Sequence, residues 1–220
     1  MNRNQTEQGG AEARILQAAM TLFARKGYEG TTTREIAKEA GSSLSMLNLH
    51  YGSKEGLYQK TLERVFDVFY FSKLPFYQEI LKVRQEHPDD REVNRDLLER
   101  YTGMIIDTVL DPENREAVLI LNRAFLNPDQ DFRKIEPMLM LFMNLELLLL
   151  SSAGWKEASA PWAKEFSFQM ISSMFSHVNY PSVAEFLNRD EPTEPSEVRR
   201  LVKEYQALSI AAVLSEYSKR

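Results

Sequence analysis

The sequence has 220 residues, 43% hydrophobic and 27% charged, the make-up of one large or two smaller soluble globular domains. It has no cysteine, which excludes disulfides, thiolate metal sites and cysteine nucleophiles. The net charge is -5, divided as +2 over residues 1–64 and -7 over the remainder. An acidic body with a mildly basic N-terminal part is compatible with DNA binding through one face.

The first ten residues, MNRNQTEQGG, are polar and lack an apolar stretch, so residues 1–10 read as a flexible N-terminus without a signal peptide. Ile15, Ala19, Leu22 and Phe23 recur at helical spacing and predict an amphipathic helix from Ala11 to Lys26, stopped at Gly27. Thr32 followed three residues later by Glu35 has the form of a capping box, with Ile36, Ala37 and Ala40 as the apolar face of a short helix. Gly41 then permits a tight turn, and Ser43 can cap a second helix over Leu44–His50. Two short helices with a small residue and a glycine at their crossing form a helix-turn-helix, though spacing alone fits a surface helical hairpin equally well.

The rest also reads as helices. Ser53 caps a helix whose buried stripe is Tyr58, Leu62, Val65, Phe66 and Phe69, and Pro75 should kink or end it. EHPDD at Glu86–Asp90 is a loop, Arg91–Leu110 a helix, DPEN at Asp111–Asn114 a turn, and Arg115–Leu126 a helix again. NPDQD at Asn127–Asp131 interrupts the chain before a long apolar helix reaching about Ser152. Its apolar run, Met138–Leu150, is broken by Asn144 and Glu146 and reads as too short and too polar to span a bilayer. Pro161 suits the first turn of the next helix, Asn188–Glu197 is an acidic loop, and Val198–Ser218 closes the chain as a helix. No convincing stretch alternates with period two. The fold class is all-α: an N-terminal helix-turn-helix module at residues 11–56, then a helical domain at 57–220.

The stretch ILQAAMTLFARKGYEGTTTREIAKEAGSSLSMLNLHYGSKEGLY resembles the N-terminal module of the TetR family of bacterial transcriptional regulators. The likeness covers roughly residues 12–66. It rests on the F-x-x-K-G-Y end of the first helix, the T-T-x-R-E-I-A-x-x-A-G run and the aromatic-x-S-K-E junction, all in register. GSKEGLY together with LILNRAFLNP more weakly resembles the CecR-like subgroup, whose C-terminal domain is helical. The resemblance implies a cytoplasmic homodimer that binds a double-stranded DNA operator. It also implies a small-molecule effector pocket in the C-terminal body and repression relieved by the effector. No cofactor and no membrane attachment are expected. Ser42 departs from the family pattern, which usually has an apolar residue there, and Leu44, Met46 and Asn48 stand where Lys, Thr and Tyr are frequent. The second helix has no Arg or Lys.

Within that frame Arg34 could reach a phosphate or a guanine edge, Asn48 could pair with adenine, and Leu49 or Met46 could lie on a thymine methyl. Leu47 belongs to the core on helical spacing. Thr33, Ser43, Ser45, Tyr51 and Lys54 suit phosphate contacts, and His50 fits a packed core residue as well as a contact.

In the body, Glu146 has Phe142, Met143, Leu149 and Leu150 as helical neighbours and should face an apolar interior, where a charge needs a partner. Arg123 and Glu146 could pair with each other or with a helix end, or they could orient a ligand. Tyr101, Met104, Phe125, Met143, Phe166, Met170, Met174 and His177 are the candidates to line the cavity, each singly more suited to plain core packing. Ile210, Val213, Leu214 and Tyr217 form a stripe that, with Trp162–Phe175, fits either a four-helix interface between two chains or an intramolecular core. The three histidines, His50, His87 and His177, lie far apart, and no phosphate loop, GxSxG or HExxH motif is present, so an enzyme is not expected. A helical adaptor whose N-terminal module no longer binds DNA is the alternative, and it leaves the N-terminal motif unexplained.

Overall fold

Capping and apolar spacing set the helix boundaries in the computed structural model, which describes residues 3–88, 90–126, 133–155, 161–179 and 194–217. Every regular element among the described residues is a helix: α1 (Arg3–Lys26), α2 (Thr33–Glu39), α3 (Leu44–Tyr51), α4 (Lys54–Phe69), α5 (Leu74–Glu86), α6 (Arg91–Val109), α7 (Arg115–Leu126), α8 (Arg133–Ser152), α9 (Pro161–Asn179) and α10 (Pro195–Tyr217). The helix expected from Ala11 begins at Arg3, so most of the segment read as a flexible terminus is helical. NPDQD at Asn127–Asp131 and the acidic stretch up to residue 193 lie outside the described residues.

Thr32 and Glu35 form the capping box. The Thr32 hydroxyl accepts from the Glu35 amide at 3.2 Å, and the Glu35 carboxylate accepts from the Thr32 amide at 2.9 Å. Lys26 closes the ring from the end of α1, its Nζ 2.7 Å from Glu35. The Lys26 hydrogen bond, reinforced by those from Thr32, holds the exposed Glu35 carboxyl down at about 2. Gly41, at φ 56°, makes the turn between α2 and α3 in the left-handed region that a Cβ disfavours. Ser43 then caps α3 by accepting from the Met46 amide at 3.1 Å.

α4 starts in this module and ends in the body. Ser53 caps it, and Leu57, Tyr58, Thr61, Leu62, Val65 and Phe69 are buried along one side, against α1, α3, α6 and α7. Gly56 is required by close approach: a Cβ there would sit 2.2 Å from the Tyr51 carbonyl oxygen. α4 stops at Phe69, before Pro75. After a 3-10 turn at Phe71–Lys73 the proline lies in the first turn of α5, where its missing N–H costs nothing.

In the body, α6 packs on α8, α9 and α10, while α7 packs on α1, α4 and α9. One apolar cluster runs without a break from Ile15 and Phe23 in α1 through Val65 and Phe69 in α4 to Ile105, Leu149 and Ile210. The core therefore continues across the expected boundary between residues 56 and 57. The 18 residues Ile135–Ser152 of α8 have a mean hydropathy of 1.4, enough by length and composition to cross a bilayer, contrary to the shorter run read from sequence. The same helix contributes Leu139, Phe142, Leu145, Leu149 and Leu150 to the core, which accounts for its apolar character.

Of the two readings of the stripe on the last helix, Ile210 and Leu214 follow the intramolecular one, buried against their own chain rather than free to meet a second one, and the side chains of Val213 and Tyr217 lie outside the described residues. The free face of α10 is the opposite one. Leu201, Tyr205 and Leu208 are 46%, 59% and 71% exposed. At 100° per residue these three fall within about 60° of arc, roughly opposite Val202, Gln206, Ile210 and Leu214, which are buried.

Candidate nucleic-acid interface and interior cavity

α3 is an eight-residue helix with one inward and one outward side. Leu47 is fully buried, as its spacing predicts, and Met46, His50 and Tyr51 flank it, each half-buried. Leu44, Ser45, Asn48 and Leu49 make up the outward side, contiguous over about 140° of arc. Leu49 is 68% exposed and Leu44 38%. Leu44, noted in the sequence as a departure from the family pattern, is not among the contacts expected there. Its position at the start of the helix, four residues before Asn48, was the available signal.

Three candidate contacts face inward instead. Met46 packs against the core. The His50 Nε2 is buried and has no hydrogen-bond partner. The Tyr51 hydroxyl donates to the Glu12 carbonyl at 2.9 Å, and burial, then the Glu12 charge, push its pKa up to about 12, so the proton stays on that bond. Tyr51 thus fastens α3 to α1 and has no proton left to donate to a phosphate.

Arg34 is exposed in the first turn of α2, and Thr33 is half-buried beside it. The Ser43 hydroxyl accepts from its own helix and keeps its proton for another acceptor. Lys54 opens α4 with its ammonium 4.1 Å from the centre of the Tyr28 ring, a cation–π contact that fixes the charge at a helix N-terminus.

The interior site is built from four helices. Phe69 of α4, Tyr101, Thr102 and Ile105 of α6, Phe142 and Glu146 of α8 and Phe175 of α9 enclose about 20 Å³, room for about one water molecule. Glu146 is buried, and the Ser167 hydroxyl of α9 donates to its carboxyl. Desolvation outweighs that hydrogen bond and raises the Glu146 pKa to about 8, so the group is largely neutral at pH 7. Tyr101 donates to the Phe142 carbonyl at 3.1 Å, and burial, then the nearby Glu146, push its pKa up.

Arg123 is elsewhere. Its Nε donates to the Ala24 carbonyl at 2.8 Å and its guanidinium to the Arg25 carbonyl at 2.7 Å, so it caps the end of α1 from α7. It is removed from the cavity-lining set. Of the remaining candidates, Tyr101 and Glu146 line the cavity. Met104 lines a separate open cleft of about 850 Å³ between α5 and α6 with Phe76, Arg100 and Lys203. Met143 and Met170 are core residues, and Phe166 packs edge-on against Trp155 at 5.4 Å. The side chains of Phe125, Met174 and His177 lie outside the described residues. Phe69, Thr102, Ile105, Phe142, Phe175 and Ser167 were missed as site residues. Phe69 and Phe142 were legible as apolar neighbours, whereas Ser167 carries no sequence signal.

A capped α2, a glycine turn, an α3 with an exposed polar and apolar arc and a helical body behind it define a helix-turn-helix architecture. Residues 15–61 match the family described as bacterial regulatory proteins, tetR family. The match to the TetR family is confined to this N-terminal module. It is 41% identical over 56 residues to IcaR, the biofilm operon icaADBC HTH-type negative transcriptional regulator of Staphylococcus epidermidis, a match covering 26% of this chain and 30% of that protein. The Staphylococcus aureus IcaR is 39% identical over 54 residues, 24% of this chain and 29% of that protein. The match thus spans less than a third of the curated relatives' length. Among solved structures, the hemolysin II transcriptional regulator HlyIIR superposes with a TM-score of 0.58 at 19% identity, over 97% of this chain and 99% of its own. A TetR-like regulator from Rhodococcus sp. RHA1 gives 0.58 at 20% identity, over 92% and 96%. These structures share the all-helical fold.

Proposed function

We propose that this protein is a cytoplasmic transcriptional repressor that binds operator DNA as a homodimer and is released when a small molecule enters its helical body. The observation that carries the reading is the outward arc of α3, with Ser45, Asn48 and Leu49 exposed in a module of the TetR family. IcaR, which matches over that module, is a negative regulator, and this supports repression as the sign.

Dimerisation is supported by the exposed stripe Leu201, Tyr205 and Leu208 on α10, with Phe168 exposed on α9. Apolar side chains lined up on one helix face are costly to leave in water and suit a self-complementary contact. Two modules about 34–36 Å apart would then meet successive major grooves of a near-palindromic site.

The switch is supported by the path of α4. Lys54 at its start stands beside the reading helix, and Phe69 at its end is a wall of the interior cavity. With only about 20 Å³ available, an effector can enter only by displacing one of the four helices around Glu146. Displacement of α4 would move the module at its far end.

The test is a gel-shift series on DNA flanking the gene, read against salt. Affinity should fall steeply with ionic strength as phosphate contacts release counterions. Lys54→Ala should weaken all sequences alike and flatten the slope. Absence of any shift, or affinity independent of salt, would overturn the reading and leave the helical-adaptor alternative.

A further inference from the structure

We infer that α3 reads thymine methyl groups, and that the base pairs beneath it are a short A·T run rather than G·C; this rests on the DNA-binding reading above. The outward arc holds Leu44, Ser45, Asn48 and Leu49, and α3 carries no Arg or Lys. Guanine is recognised in the major groove chiefly by a bidentate Arg or Lys, and the arc has neither. Asn48 is its one side chain able to make paired hydrogen bonds to a base edge, and its amide complements adenine N6 and N7. Ser45 accepts any base.

The leucines decide the remainder. In the major groove the apolar group on offer is the thymine C5 methyl. Leu44 and Leu49 against a G·C edge would cover donors and acceptors without pairing them, which is penalised. Against thymine they bury hydrocarbon on hydrocarbon. The two lie five residues apart, about 7.5 Å along the helix, or roughly two base-pair steps. At 100° per residue, Asn48 falls between them in azimuth. Around the arc come Leu44, Asn48, Ser45 and Leu49 in turn, so the two apolar groups flank the amide and the hydroxyl, matching an adenine contact flanked by thymine methyls. Arg34, on α2 and outside this arc, is left for the backbone or for a base pair beside the run.

The experiment uses the 220-residue chain. Binding sites are enriched from a random duplex library, and affinity is then measured on the selected duplex with deoxyuridine replacing thymine at single positions. That exchange removes one methyl and leaves every hydrogen-bonding edge in place. Affinity should drop about fourfold per contacted methyl, as expected for losing one buried CH₂-sized group. Leu49→Ala or Leu44→Ala should bind the thymine and uracil duplexes equally at the position its side chain covers. Leu49 is largely exposed, so its variant should keep the parent's thermal melt. Selected half-sites with guanine under α3, affinity indifferent to uracil, or uracil sensitivity unchanged in both leucine variants would each overturn the inference while leaving DNA binding intact. Failure to enrich any sequence overturns the DNA-binding reading itself and this inference with it.

Discussion

At the scale of single residues, two carboxylates are governed by opposite environments. Glu35 is exposed and held ionised by Lys26 and Thr32, whereas Glu146 is buried with a serine hydroxyl on its carboxyl. The Glu146 pKa of about 8 stands above the value of roughly 4.3 in an unfolded chain. Between those values the unfolded chain gives up the proton and the folded protein keeps it. The contribution of Glu146 to folded stability is therefore fully present in acid, declines as pH rises through this interval and levels off above about 8. Glu146→Gln keeps the shape and the Ser167 contact but cannot ionise. In urea titrations it should resemble the parent near pH 5 and be more stable by on the order of 2–5 kcal/mol near pH 8. A gap that does not change with pH would contradict the burial argument. The partners expected for Glu146 were Arg123, a helix end or a ligand, and sequence did indicate the apolar surroundings correctly. It gave no means of knowing that neutralisation by burial would replace pairing, since Ser167 comes from α9, 21 residues further on.

At the scale of elements, caps and turns were legible because they are local. Thr32 with Glu35, Ser43 and Ser53 each cap the helix expected of them, and Arg115–Leu126 has the boundaries its flanking turns imply. The module allows a direct check. Gly56→Ala would drive a methyl into the Tyr51 carbonyl, a backbone atom with little freedom to move. It should destabilise the α3–α4 junction by about 1–3 kcal/mol and weaken DNA binding, read as a lowered melting temperature. What sequence could not give was which apolar face of a helix meets which neighbour. α10 has two such faces, and spacing fits an intramolecular core as readily as a second chain. Asp at both Tyr205 and Leu208 should yield folded monomers by light scattering and circular dichroism. Asp at Ile210 and Leu214 should instead unfold the body, because those side chains are 2% and 6% exposed within their own chain. If the first pair stays dimeric, the interface is not on this face. Arg123 has the same origin: a charge among AVLILNRAFL fits a helix end, Glu146 or a ligand, and only the packing of α7 on α1 selects the helix end.

At the scale of the whole molecule, α1 and α4 join reading module and body through one continuous core. Arg123 of α7 holds the end of α1, and Phe69 of α4 stands in the cavity wall. Any effector that repacks the cavity must therefore bind two conformations unequally to change DNA affinity. The coupling is expected to be about 1–3 kcal/mol, and linkage requires saturating operator to weaken effector binding by the same factor. Calorimetry with and without operator reads this directly, and equal affinities would exclude the switch. Shortening Arg123 to Ala should reduce the coupling while leaving effector affinity of the DNA-free protein near the parent value, because Arg123 is not among the cavity walls and its bonds to Ala24 and Arg25 lie at the end of α1. A decline in that affinity instead would place Arg123 in the binding site.

If the proposed effector binds beside Glu146, the smallness of the space there also sets a clock. A compound larger than a water cannot simply diffuse into about 20 Å³; it must wait for Phe69 and its neighbours to part. In stopped-flow mixing, the observed rate should climb with effector concentration and then reach a ceiling equal to the spontaneous opening rate, the same for every effector whatever its affinity. Derepression would then have a fixed lag that higher doses cannot shorten. Phe69→Ala, by thinning the gate, should raise that ceiling, whereas a rate that stays linear in concentration would mean the entry route is already open.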